Sequence, residues 1–547
     1  MSNATSAPQF ETGRPATMAP HGMVVSPHSL ASQAGLEILK AGGSAVDAAI
    51  ATSGVLSVVY PHMTGVGGDA FWLIYDAKAK RVRYLDAAGR AASSASIGWF
   101  QERGLKEIPF RGVLPATLTV PGAVDGWCTA HAEFGRLPLT RSLAAAIGYA
   151  SEGFPVSARL SRWIGLTGAD NTFNVDAAHI FMPQGSAPRP GAMLTNRNLS
   201  RTLATIAAQG RDGFYGGTTA GTMAAFARAN AGFFTEADFA AQRSNWGEPI
   251  STTYRGFTIY ETPAPTQGFT VLEMLNLLEP YDVRRWGFLG PDHVHHLVQA
   301  KQIAYNDRDS QLGDPAYSNV PIARLISRPY ADQRRKLIDS QRALAWDSVP
   351  SYGTLKGDTV YVGVVDAEGN AASLIHSIYG IFGSGVVAGD TGVVLQNRSS
   401  YFLLDPDHPN RLEAGKRPLH TLIASLAFEG NHLRHIVGCM GADGQPQIHL
   451  QTYSGLIDFG LDIQQAVEAP RWLSGRFALG EARDTLNIEG RFSSATIEEL
   501  VRRGHTVNRW PNWNELAGHC HGITIDPLSG MRIGGADPRS DGAAIGY

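Results

Sequence analysis

The segment LKGDTVYVGVVDAEGN, residues 355–370, leaves the backbone few choices. Val360, Val362, Val364 and Val365 favour an extended chain, and Ala367-Glu368-Gly369-Asn370 has hairpin-turn chemistry. A strand therefore starts at Thr359, directly after a Gly-Asp pair. A plain strand accounts for the pattern, but the place of Thr359 allows a second reading. A threonine hydroxyl is a weak nucleophile at neutral pH and needs a base. If the Asp358–Thr359 bond were cut, the new α-amine, with a reference pKa of about 8, would supply that base. The same hydroxyl could cut the bond itself, by attacking the preceding carbonyl in an N-to-O shift.

Composition narrows the partners. The 547 residues are 44% hydrophobic and 17% charged, which suits one large mixed domain or two or three smaller ones. The net charge is −3 with no basic stripe, so neither nucleic acid nor a membrane surface is an expected partner. Cys128, Cys439 and Cys520 are far apart and odd in number, which is no disulfide framework and points to a reducing compartment. The start, MSNATSAPQFETGRPATMAPHG, has neither the basic nor the apolar region of a secretory signal. Residues 1–20 read as a flexible tail and the expected location is cytoplasmic. The longest apolar run, AVDAAIATSGVLSVV, is too short to span a bilayer.

Along the chain, SLASQAGLEILKAGG reads as an amphipathic helix stopped by Gly42-Gly43. SAVDAAIATSGVLSVVYP reads as a buried helix, with Ser44 as N-cap, Asp47 in its first turn and Pro61 closing it. AFWLIYDAKAKRVRYLDAAGR reads as two strands about a turn at 76–80. Helical segments dominate 120–345. Strand patterns follow from Thr359: VYVGVVD, AASLIHSI, GVVLQ, ASLAF and HGITID. A helical middle between strand-rich ends predicts an α+β layered fold with an antiparallel core.

Two glycine-rich loops belong to the same strand-rich part: GIFGSGVVAGDTG, residues 380–392, and GCMGADGQPQ, residues 438–447. Glycine lets backbone N–H groups converge on a concavity, as an oxyanion hole requires. The first loop lacks the strand–helix frame of a dinucleotide fingerprint. His293, His295 and His296, and His519, Cys520 and His521, lack a zinc-site spacing, so core or solvated histidines are expected and no metal or cofactor.

Set side by side, these segments resemble the γ-glutamyltranspeptidase family of N-terminal-nucleophile hydrolases. The resemblance runs from about residue 21 to the C-terminus. It rests on GMVVSPHSLASQAGLEILKAGGSAVDAAIA, GVGGDAFWLIYD, TVPGAVDGW, APTQGFTVLEMLNLLE, YNDRDSQLGDP, DTVYVGVVDAEGN, FGSGVVAGDTGVVLQN, GKRPLHTL, EAPRW and GGADPRSDGAAIGY. It implies a four-layer αββα sandwich. It also implies a precursor that cuts itself at Asp358–Thr359 into a large chain, 1–358, and a small chain, 359–547. The two would form a heterodimer within one domain, with further dimerisation left open. Thr359 would be the nucleophile. Ser377 falls on a hydroxyl that bonds it, and Gly441 and Ala442 on the oxyanion pair.

The family's glutamate-binding set is largely missing. Its carboxylate-binding arginine falls near Ala87, with Arg90 close by. Its ammonium-binding aspartate falls on Tyr401, and the assisting asparagine and glutamine on Tyr379 and Arg398. A Ser-Ser pair becomes His420-Thr421, and YFLLDPDHPNRLEAGKRP is short for a lid. A zwitterion site that loses its anion leaves the substrate ammonium unpaired. Arg398, His420, Thr421, Tyr379 and Tyr401 would suit a small carboxylate instead. The pattern resembles most the oxamate amidohydrolase branch of purine-nitrogen catabolism. The alternatives are a γ-glutamyl hydrolase or transferase acting on glutathione-like substrates, an unprocessed binding protein, and an Arg398 that merely pairs with Asp405 or Asp407 at the surface.

Overall fold

The structure is a computed structural model that describes residues 12–344, 358–475 and 484–547, without the Asp358 side chain. Two seven-stranded, wholly antiparallel sheets form its centre. The first runs, edge to edge, Ala543–Gly546, Met23–Ser26, Asp358–Val365, Ala371–Tyr379, Asp69–Asp76, Arg81–Ala87 and Asn245–Gly247. The second runs Thr17–Ala19, Arg532–Ala536, Cys520–Ile525, His432–Cys439, Ala424–Glu429, Phe257–Glu261 and Ile250–Tyr254.

Period-two alternation decides which layer each side chain joins. Val360, Val362 and Val364 point into the helices that cover the first sheet. Tyr361 and Val365 point between the sheets, against Phe71, Leu426, Ile436 and Ile523. Helices Gly268–Leu278, Pro291–Gln311 and Gln445–Tyr453 cover the far face of the second sheet. The result is the four-layer αββα sandwich.

Helix Ala45–Val59 is buried along its whole length and starts in a Ser44–Asp47 capping box. The hairpin after Thr359 closes where predicted, with Asp366 Oδ1 accepting from Glu368 N and Asn370 N and Gly369 at φ +85°. Two expectations change. GVVLQ is not a strand but two isolated bridges, Val387–Val394 and Gly67–Leu395. Of the expected tail, residues 1–11 lie outside the described residues and the rest is tied down: Thr17–Ala19 pairs with Arg532–Ala536, and Gly13 N donates to Glu468. Cys439 and Cys520, distant in sequence, face each other across paired strands as buried free thiols. Within the helical region 120–345, two helices, Leu139–Ser142 and Ala144–Glu152, meet at Leu143. No helix among the described residues is long and apolar enough to cross a membrane.

Candidate active site

Thr359 is the second residue of its strand. The pairing with Ala371–Tyr379 shifts register between Asp358 and Val360, so Thr359 stands opposite a bulge formed by Ser377 and Ile378 of the partner strand. Bulges re-aim a side chain out of the regular alternation. Thr359 is buried, and Gln445 Nε2 donates to its Oγ1 at 3.4 Å. The expected scissile bond adjoins residues 345–357, which lie outside the described residues.

The loop 438–447 arrives beside Thr359 with unusual backbone. Gly441 has φ +149° and Ala442 φ +47°. The left-handed region costs an alanine about 1–2 kcal/mol. Neither the Gly441 nor the Ala442 N–H has an acceptor among the described residues. Three groups clamp the loop from behind. Gln267 Nε2 donates to Ala442 O at 3.1 Å and to Thr421 O at 2.8 Å. Arg308 donates to Gln267 Oε1 and Asp443 Oδ1, both at 2.6 Å, and Tyr305 donates to Asp443 O.

Arg398 forms the opposite wall. It is fully buried, on a short 3-10 turn, Arg398–Tyr401. Its guanidinium donates to Thr421 Oγ1 at 3.0 Å and to Ser377 Oγ at 3.3 Å. It lies 4.4 Å from the Tyr379 ring centroid and 5.6 Å from that of Tyr401. No carboxylate of the described residues stands within 4 Å of it. Asp405 and Asp407 do not pair with it, so the surface ion-pair alternative falls. Burial without a paired anion pulls its pKa below the usual arginine value. Tyr379 adopts φ +75°, strained backbone for a bulky residue, while its N–H donates to Ser377 Oγ at 2.8 Å.

The structure thus gathers Thr359, Ser377, Tyr379, Arg398, Tyr401, Thr421, Gly441 and Ala442. His420 joins from behind, edge-on to Phe71 at 4.9 Å and with Nε2 3.6 Å from Asp69 Oδ2. Burial holds it neutral, its pKa well below the usual histidine value. Arg90 instead donates to Gly415 O at 3.2 Å. The segment 401–418 folds into a compact loop, with His408 Nε2 3.0 Å from Asp309 O. The histidine clusters are core. His293 meets Ser454, His295 meets His505, and His519 and His521 are buried. Among the described residues no group of three His, Cys, Asp or Glu could hold a metal ion.

Sequence reading missed Asp69, Gln267, Arg308, Asp443 and Gln445. Asp69 is fully buried opposite Ser377. Its Oδ1 accepts from Gly89 N, Gly122 N and Gln396 Nε2 at 2.8–3.0 Å. Burial outweighs those bonds and the field of Arg398, and pushes its pKa up to about 7. An aspartate inside an apolar strand, DAFWLIYD, was the one available signal.

Comparison with known proteins agrees with this geometry. The family model described as gamma-glutamyltranspeptidase matches residues 31–547. A glutathione hydrolase-like proenzyme of Bacillus subtilis is 42% identical over 96% of this chain and 98% of that protein. An oxamate amidohydrolase proenzyme of Klebsiella pneumoniae is 38% identical, with coverage of 96% and 98%. The solved cephalosporin acylase of Bacillus halodurans superposes with a TM-score of 0.91 at 36% identity, covering 100% of this chain and 99% of that one.

Proposed function

The chain belongs to the gamma-glutamyltranspeptidase family, and on that premise we propose a self-processing amidohydrolase for small carboxylate-bearing amides, with oxamate the first candidate. Thr359 attacks the Asp358 carbonyl and becomes the N-terminus of the small chain. Its hydroxyl then attacks the substrate amide carbon, and the α-amine takes the hydroxyl proton. The Gly441 and Ala442 N–H groups hold the oxyanion. The amine returns the proton to the departing nitrogen and ammonia leaves. Water hydrolyses the ester, releasing the second carboxylate; from oxamate this is oxalate.

One observation carries the choice of substrate: Arg398 is buried and has no carboxylate of the described residues within 4 Å. A buried guanidinium is costly unless an anion pairs with it, and a substrate carboxylate between the tyrosines would be that anion. The glutathione-type alternative has its own support. Asp443 Oδ2 lies 3.3 Å from the Tyr401 hydroxyl, where an ammonium would need an acid, although Arg308 already pairs with the other oxygen. Ammonia release from oxamate, malonamate, succinamate and glutamine, beside glutamate release from glutathione, tests the two. Faster turnover of glutathione than of oxamate overturns the proposal.

A further inference from the structure

We propose that Asp69 is the proton-holding positioning residue of the Arg398 receptor: it takes up a proton from solvent when a ligand carboxylate binds there. This rests on the carboxylate-receptor reading above. Asp69 and Arg398 are both fully buried, they feel each other's field, and yet they are not in contact. Each is the other's counter-charge across a gap. Among the described residues, the remaining buried charges nearby leave no spare cation, since three positive groups meet four carboxylates. Arg308 pairs with Asp309 and Asp443, with Lys301 close by, and Arg417 pairs with Asp86 and Asp314. His420 is neutral, and the hydroxyls of Tyr215, Tyr379 and Tyr401 complete the titratable groups facing the pair. A carboxylate seated on Arg398 therefore adds one uncompensated negative charge to a buried cluster.

The geometry offers a seat for the compensating proton. Asp69 spends Oδ1 on three donors and leaves Oδ2 without a hydrogen bond among the described residues. Facing it at 3.6 Å is His420 Nε2, and neither ring nitrogen of His420 has a hydrogen-bond partner among the described residues. A protonated Oδ2 would donate to Nε2 of the neutral imidazole, with the ring proton on Nδ1, and give the two facing atoms, Oδ2 and Nε2, a partner. Asp69 touches no reacting atom; it sets how tightly Arg398 holds its ligand.

The sign follows from linkage. Uptake costs little while Asp69 is already protonated, so binding is tightest below its free-state value of about 7 and weakens as pH rises through it. The probe is propanoate, a carboxylate with no amide, as a competitive inhibitor of whichever amide turns over. Between pH 7 and 8.5 the wild-type inhibition constant should rise about 16-fold more in all than that of Asp69→Asn, which still offers Oδ1 but cannot take a proton. The Thr359 amine titrates in both proteins and cancels in the comparison. Parallel slopes overturn the inference. Should Asp69→Asn fail to fold, calorimetry of wild-type binding at pH 7.5 in buffers of different ionisation enthalpy decides it. Uptake of more than about half a proton per ligand supports it, and less overturns it. Propanoate that binds without proton uptake sinks this inference alone; no binding of any small carboxylate sinks the receptor reading and this with it.

Discussion

The glycine-rich loops 380–392 and 438–447 look alike in sequence and do opposite things. In the first, the glycines let backbone press on backbone. A Cβ at Gly383 would stand 2.4 Å from Leu395 O, at Gly385 2.4 Å from Thr172 O, and at Gly392 2.3 Å from Leu199 N. Every approach is filled by protein, and the loop is a wall. In the second, the Gly441 and Ala442 N–H groups have no acceptor among the described residues, Gln445 reaches Thr359, and Gln267, Arg308 and Tyr305 hold the loop from behind. Glycine content therefore signals close approach; only the partners show whether protein or ligand does the approaching.

The largest test of that contrast removes what the second loop faces. Thr359→Ala should remain one chain on a denaturing gel and lose turnover by on the order of 10⁵-fold, as loss of a nucleophile does elsewhere. Wild-type protein should yield a fragment beginning TVYVG; an intact wild-type chain that still turns over amides would break the comparison at its root. Next is the opposite wall. Arg398→Gln should lower kcat/KM for carboxylate-bearing amides by about ten- to a hundred-fold, since a charge-assisted contact is worth roughly 1.5–3 kcal/mol. Self-cleavage should persist, and Arg398→Lys should recover turnover only in part, for want of the planar fork. Unchanged kinetics in Arg398→Gln would mean that the ligand does not meet this wall.

Smaller effects separate wall from site. Gly385→Ala places a Cβ against a backbone oxygen at φ +79° and should cost about 2–4 kcal/mol in denaturant unfolding, with KM unmoved in the folded fraction. A KM change would show that the first loop also meets substrate. The smallest is Ala442→Gly. Relief of the φ +47° strain, offset by the freer unfolded chain, should stabilise the protein by about 0.5–1 kcal/mol and leave turnover nearly unchanged. A loss of turnover would mean that the alanine methyl, not only its N–H, shapes the oxyanion site.

Much of this was legible locally. The alternating valines with Gly369 give the strand and hairpin at Thr359, Ser44 with Asp47 starts its helix, and ordered motifs give the fold and most candidate residues. The tail at Thr17–Ala19 was misread because its pairing partner lies over five hundred residues away. GVVLQ was misread because strand propensity needs a neighbour to pair with, and loop 380–392 offers only single bridges.

The sequence by itself determined the local grammar and the chemical inventory: where strands begin, where helices are capped, and which hydroxyl could become an N-terminal nucleophile. It could do so because those choices depend on neighbours along the chain. Tertiary structure alone decided that Arg398 is buried rather than paired at the surface, that Asp443 and Arg308 brace loop 438–447, and that Asp69 faces His420. Charge balance and desolvation are sums over everything within a few ångströms, and those neighbours come from segments up to several hundred residues apart.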